Sequence, residues 1–202
     1  MLASKLITRN LKSGLRSASA SSPYTRTALF NSKRFYSIKV GDKIPDVALY
    51  ESNPTSEVHL AATLPGQRAI ILGVPGAFSS GCTLHHIPGY LKNYPDFVSK
   101  GYSKIIVVAV NDVFTMKAWK ESLNLGNANQ DHFIFLADPS GNFTKALDLE
   151  FDATKFFGNY RSKRYALAVV DGKVAAEFIE PDNTSVNISA AENVLKNIPG
   201  LE

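Results

Sequence analysis

Ile70-Ile71-Leu72-Gly73-Val74-Pro75-Gly76-Ala77-Phe78-Ser79-Ser80-Gly81-Cys82-Thr83 is the stretch whose reading decides the fold. Residues 70–74 are apolar and rich in branched side chains, which predicts a strand buried on both faces. Pro75 and Gly76 then break the run and predict a tight loop with few side chains. Beyond it, Ile87, Tyr90, Leu91, Tyr94 and Val98 recur at helical spacing, so a helix follows, kinked or shortened by Pro88 and Pro95. A strand, a tight loop and a helix in that order place Cys82 in the first helical turn. Free backbone N–H groups and the helix dipole there favour a thiolate. Ser79, three residues earlier, can turn its hydroxyl into the same pocket.

The same alternation continues along the chain. Ile105–Val110 and Phe133–Ala137 read as further buried strands. Tyr165–Val170 and Lys173–Phe178 flank Asp171-Gly172, a two-residue hairpin signal. Val40–Tyr50 and Val58–Leu60 read as a weaker opening hairpin. Asp112 predicts the cap of a helix carrying Phe114 and Trp119. Asp138-Pro139 predicts a cap and first helical position for a short helix toward Leu147. Ser189 and Glu192 predict a capping box for a last helix through Ile198. The order β-α-β-α-β-α-β-β-α predicts a three-layer α/β sandwich with a mixed central sheet, the thioredoxin-like arrangement.

Charge divides the chain. Seven of its 22 Lys and Arg residues lie in 1–36, where there is no acid, leaving 15 against 18 Asp and Glu over 37–202. The folded part is therefore mildly acidic, and a nucleic-acid partner is not expected. The leader is Ser-rich, with Leu2, Leu6, Ile7, Leu11 and Leu15 at helical spacing among basic residues. That pattern predicts a mitochondrial transit peptide over 1–36, cleaved near Ser37 for delivery to the matrix, and a folded domain over 37–202. No run approaches the roughly 20 apolar residues of a membrane helix, so no stable membrane association is expected.

Cys82 is the chain's one cysteine, which excludes an intramolecular disulfide and a structural zinc site of several thiolates. A single cysteine at a helix start is by itself most often a small buried residue. The surrounding pattern points elsewhere. Pro75, Ser79 and Cys82 in the order Pro-x-x-x-Ser-x-x-Cys resemble the peroxiredoxin active-site signature. The longer string PGAFSSGCTLHHIPGY is similar to the type II and atypical two-cysteine branch. GDKIPDVALYE, VVAVNDVFTMKAW and FGNYRSKRYALAVVDGKV extend the likeness from about Gly41 to Ile198.

The resemblance implies that Cys82 is the peroxidatic nucleophile, that Pro75 shields it, and that Ser79 takes the family's Thr/Ser role. It maps the family's arginine onto Arg164, which would hold the thiolate and polarise the peroxide. Arg161 and Lys163 lie close enough in sequence to compete, although strand alternation puts Lys163 and Arg164 on opposite faces. His85 and His86 diverge by about 100° on a helix and do not suit one metal ion, so no metal is expected and a structural role is assigned to the pair.

The chain also departs from the branch. Many relatives carry a resolving cysteine late in the chain, where this sequence has Ile188 within EPDNTSVNISAAENV. The expected reaction is therefore a one-cysteine sulfenic acid cycle on hydrogen peroxide and organic hydroperoxides. No bound cofactor is expected. The reductant would be an external thiol, glutathione with glutaredoxin or else thioredoxin, and the resemblance suggests a homodimer. Two other readings compete. A thioredoxin or glutaredoxin is disfavoured because C-x-x-C is absent. A redox sensor or chaperone-like module without turnover is disfavoured because Pro75, Ser79, Cys82 and Arg164 are all present.

Overall fold

A computed structural model describes residues 37–126 and 129–201. The leader expected over 1–36 lies outside the described residues. Among the described residues seven strands form one mixed sheet in the order β2 (Glu57–His59), β1 (Ala48–Tyr50), β5 (Phe133–Ala137), β4 (Lys104–Ala109), β3 (Arg68–Gly73), β8 (Tyr165–Val170), β9 (Lys173–Ile179). The central strands are β3 (Arg68–Gly73), β4 (Lys104–Ala109), β5 (Phe133–Ala137) and β8 (Tyr165–Val170). β3, β4 and β5 are parallel, whereas β8 runs antiparallel to β3. Side chains alternate between two cores, as the two-residue period of a strand dictates. Ile70, Leu72, Ile105, Val107, Phe133 and Phe135 enter the core that holds Cys82 and Trp119. Ile71, Ile106, Val108 and Leu136 enter the opposite core with Phe143 and Leu147. Two apolar faces require two covering layers, so the predicted three-layer thioredoxin-like sandwich is what the chain forms.

The hairpin at Asp171-Gly172 joins β8 to β9 (Lys173–Ile179), with Val170 opposite Lys173. Both turn residues have positive φ, 51° and 71°, as a two-residue hairpin turn of this hand requires. The opening hairpin is shorter than expected. Only β1 (Ala48–Tyr50) and β2 (Glu57–His59) pair, and the segment before them makes a single bridge, Lys43 to Lys173. A small ribbon of β6 (Glu150–Asp152) and β7 (Tyr160–Ser162) was not expected, because neither strand exceeds three residues. It lies in the stretch that leads from the short helices to β8.

The helices show how local signals were reassigned. The helix foreseen after Cys82 is a π-helical turn, Gly81–His86, that runs into α2 (Ile87–Lys92) and, past Asn93, α3 (Tyr94–Ser99). Pro95 stands in the first turn of α3, where a missing N–H costs nothing, Pro88 stands where the π-helical turn passes into α2, and the chain breaks between them. (The four-residue helix after β2, Leu60–Thr63, is α1.) Asp112 does cap α4 (Val113–Ser122), accepting the Thr115 N–H at 2.9 Å, an arrangement worth about 1 kcal/mol.

Asp138 behaves differently from its expected role. It is buried, and its two carboxylate oxygens accept the N–H groups of Phe143 and Thr144, so α5 (Asn142–Ala146) begins three residues later than foreseen and Pro139 stays outside it. The short helix Thr154–Phe157 is α6, and the capping box before α7 (Ala191–Asn197) does not form. Ser189 instead gives its hydroxyl to Glu180, and Glu192 accepts from Asn93. The competing partner for Ser189 is a buried carboxylate, which outbids a helix end that water can reach.

Candidate active site

β3 ends at Gly73, and the chain turns over Val74 and the buried Pro75 into the loop 75–79. Asn111, at the end of the neighbouring strand's loop, accepts the Ala77 N–H at 3.0 Å and fixes that loop. Phe78 is held at φ +61° with its ring half exposed, a backbone conformation that a bulky residue adopts only where its surroundings impose it. The loop then delivers Ser79 and, after Ser80 and Gly81, Cys82 as the second residue of the π-helical turn. The Ile87 N–H bonds to the Cys82 carbonyl five residues back, the signature of that wider turn, and such turns gather at functional sites. The turn is tied to α4 by the Trp119 indole N–H, which donates to Thr83 Oγ1 at 3.0 Å.

Two donors converge on Cys82 Sγ. The Ser79 hydroxyl donates to the sulfur at 2.8 Å, and Arg164 Nη1 lies 3.3 Å from it. Cys82 is fully buried, and Arg164 is 3% exposed. Arg164 stands immediately before β8, and its Nε donates to the Thr184 carbonyl at 2.9 Å. Among the described residues no carboxylate makes an ion pair with it. A buried guanidinium without an anion is costly, so its charge is directed at whatever negative charge the sulfur carries. Gly81 makes this approach possible, because a Cβ there would stand 3.0 Å from Arg164 Nη2.

The competitors for the arginine's place go elsewhere. Arg161 stacks on Phe157 at 4.8 Å, donates to Val110 O at 2.7 Å and lines a separate cavity of about 260 Å³ with Thr144 and Glu150. Lys163 gives its backbone N–H to Leu149.

His86 was assigned only a structural role, and the structure assigns it more. Residues four apart share a helix face, so His86 meets the same guanidinium as Cys82. Its Nδ1 accepts from Arg164 Nη1 at 3.3 Å, and its Nε2 donates to the Ser189 carbonyl at 3.2 Å. Burial, then the Arg164 charge, pushes its pKa down to about 3, so it stays neutral and can accept from the arginine. The i, i+4 spacing from Cys82 was the available signal. His85, by contrast, is exposed. Among the described residues no group of three His, Cys, Asp or Glu side chains could hold a metal.

The redoxin family pattern matches residues 39–195. Peroxisomal membrane associated protein 20 of Schizosaccharomyces pombe is 47% identical over 162 residues, covering 80% of this chain and 99% of that protein. The chloroplastic peroxiredoxin-2E-2 of Oryza sativa is 39% identical, covering 79% of this chain and 72% of that protein. Reduced Prx3 of Vibrio vulnificus, solved in complex with H2O2, superposes with a TM-score of 0.71 at 34% identity, covering 80% of this chain and 99% of that one.

The mitochondrial placement drawn from the basic leader is corrected by these findings. The fungal relative, matched over 99% of its own length, carries a peroxisomal name, so the mitochondrial reading does not stand. A basic Ser-rich leader reports charge and composition, which other targeting routes and plain exposed arms share. The chain belongs to the redoxin family and, within it, to the type II peroxiredoxins, which are thiol-dependent peroxidases.

Proposed function

We propose that Cys82 reduces hydrogen peroxide and organic hydroperoxides in a one-cysteine cycle. The observation that carries the reading is the convergence of Ser79 Oγ and Arg164 Nη1 on the chain's one sulfur nucleophile, at 2.8 and 3.3 Å. The Cys82 thiolate attacks one peroxide oxygen. The S–O bond forms as the O–O bond breaks, giving a sulfenic acid, and the departing alkoxide or hydroxide takes up a proton as alcohol or water. Arg164 and Ser79 hold the sulfur at rest and stabilise charge as it moves onto the leaving oxygen. Pro75, buried at the head of the loop, keeps water from the sulfur's side of the pocket.

The oxidised sulfur has no second thiol in the chain to meet. Ile188, where many relatives carry a resolving cysteine, is 41% exposed and cannot condense with a sulfenic acid. An external thiol therefore completes the cycle. Glutathione condenses with the sulfenic acid and releases water, and glutaredoxin or a second glutathione reduces the mixed disulfide. Thioredoxin acting directly on the sulfenic acid is the competing route. Exposed Phe78 and Phe114, each more than half accessible, support a homodimer. The fungal relative's name makes the peroxisome the first compartment to examine.

Intact-mass spectrometry after one equivalent of peroxide tests the scheme. Peroxide alone should add oxygen at Cys82, and added glutathione should replace it with a single glutathione adduct. Sustained turnover with thioredoxin and no adduct at any time would remove glutathione from the scheme and leave the one-cysteine peroxidase.

A further inference from the structure

Arg164 cannot hold its position unaided, because a long side chain loses rotamer freedom when it is fixed. Its anchors all lead to one segment, 180–189, which forms no helix or strand. The Arg164 N–H donates to Asn183 O at 2.8 Å, its carbonyl accepts the Glu180 N–H at 3.0 Å, and Nε donates to Thr184 O. The second road runs through His86, whose Nε2 is held by Ser189 O, an oxygen that also accepts from Tyr90 at 2.7 Å.

The two ends of this irregular segment, Glu180 and Ser189, are buried, and their polar groups need partners. Here the template is the Glu180 carboxylate, which is 1% exposed. Oε1 accepts the Asn187 N–H at 2.7 Å and both the N–H and the hydroxyl of Ser189 at 2.8 Å, and Oε2 accepts the Ser185 hydroxyl at 3.0 Å. Burial opposes this carboxylate's charge, yet the four hydrogen bonds outweigh it and hold its pKa below the ordinary value. The charge is thereby occupied by the loop and forms no ion pair with Arg164, whose own charge stays free for the sulfur.

We infer that Glu180 is a positioning residue for the peroxidase reaction: it folds segment 185–189 onto its carboxylate and so aims His86 and Arg164 at Cys82. This rests on the proposed roles of Cys82 and Arg164. Asp182 still caps Thr184 at 3.1 Å, but removing the template frees Ser185 and Ser189 together, and through His86 the arginine loses its aim while remaining in the chain. Misplacement of a catalytic group by about 1 Å can cost about 100-fold.

A double-mutant cycle of Glu180→Ala with Arg164→Ala tests it, reading the peroxide rate constant and the pH profile of Cys82 alkylation in the full chain. Glu180→Ala should slow the peroxide step about 10- to 100-fold and move the alkylation profile to higher pH. In the Arg164→Ala background the same change should cost less than about threefold, because the group it aims is gone. A loss of purely structural origin would persist at full size in that background, and this result would overturn the inference. So would a Glu180→Ala protein with wild-type rate and profile. If Glu180→Ala does not fold, Glu180→Asp, which withdraws the carboxylate by one methylene, replaces it in the cycle with the same criteria. If Arg164→Ala itself leaves the rate unchanged, the proposed site fails first, separately from the role of Glu180.

Discussion

Arg164→Lys asks whether the site needs a cation or a guanidinium fork. The native side chain makes contacts in two directions, Nε to Thr184 O at 2.9 Å and Nη1 to both His86 Nδ1 and Cys82 Sγ at 3.3 Å. A lysine brings one nitrogen at the end of a flexible stem and cannot span both directions. If the ammonium stays on Thr184, the sulfur loses its cationic donor. The loss of one such donor costs about 100- to 1,000-fold, or about 2.7–4 kcal/mol in the barrier. If it swings to the sulfur, the carbonyl of exposed Thr184 exchanges the guanidinium for water at about 1 kcal/mol of stability, which lowers Tm by about 2–4 °C for a domain of this size. The Thr184 bond is the shorter, so the first outcome is expected, with the peroxide step slowed about 100-fold and Tm changed little. Trp119, the chain's one tryptophan, bonds to the residue after Cys82, so stopped-flow fluorescence reads the peroxide step directly. Rates for Arg164→Lys and Arg164→Ala within about threefold of wild type would refute the reasoning, because a threefold loss is about 0.65 kcal/mol, far below the about 2.7–4 kcal/mol expected of such a donor. Arg161→Ala, altered in the neighbouring cavity, should leave the rate unchanged.

Ser79→Ala removes the 2.8 Å O–H···S contact and should slow the same fluorescence phase about tenfold, with chemical denaturation showing less than about 1 kcal/mol lost. Gly81→Ala pushes a methyl toward Arg164 Nη2 and should slow peroxide more than it lowers Tm; a normal rate would mean that the guanidinium can give way. His86 titrates near 6.5 when unfolded but at about 3 when folded, so between those values the unfolded chain binds more protons and stability falls as pH falls. His86→Asn should therefore lose less urea stability between pH 6.5 and pH 4 than wild type does, and equal losses would remove His86 as the cause.

Much of this architecture was legible because strands buried on both faces leave a strong signal. Ile105–Val110 is continuous apolar sequence, and nothing but a central strand of a covered sheet uses it so. The loop of the site's first half was legible, since Pro75, Ser79 and Cys82 lie within eight residues between a strand and a helix, although their roles came from the resemblance. Arg164 required a resemblance, because its approach to Cys82 crosses 82 positions of sequence. His86 and Glu180 were passed over for a different reason. Their roles arise from partners, the Ser189 carbonyl and a loop of backbone N–H groups, that carry no residue-type signal. The failed capping box shows the same thing from the other side: Ser189 and Glu192 have the right spacing, yet Glu180 takes the serine. The π-helical turn also had no sequence mark, as GCTLHH reads equally well as an α-helix.

The central claim is that one sulfur does the chemistry, and a peroxide titration of the wild-type chain beside Cys82→Ser tests it most directly. Without a reducing thiol, the wild type should consume one equivalent of peroxide rapidly and gain one oxygen at Cys82, whereas Cys82→Ser, correctly folded by its Trp119 fluorescence, should consume none. Equal consumption by the two proteins, or oxygen found on any residue other than Cys82, would contradict the account.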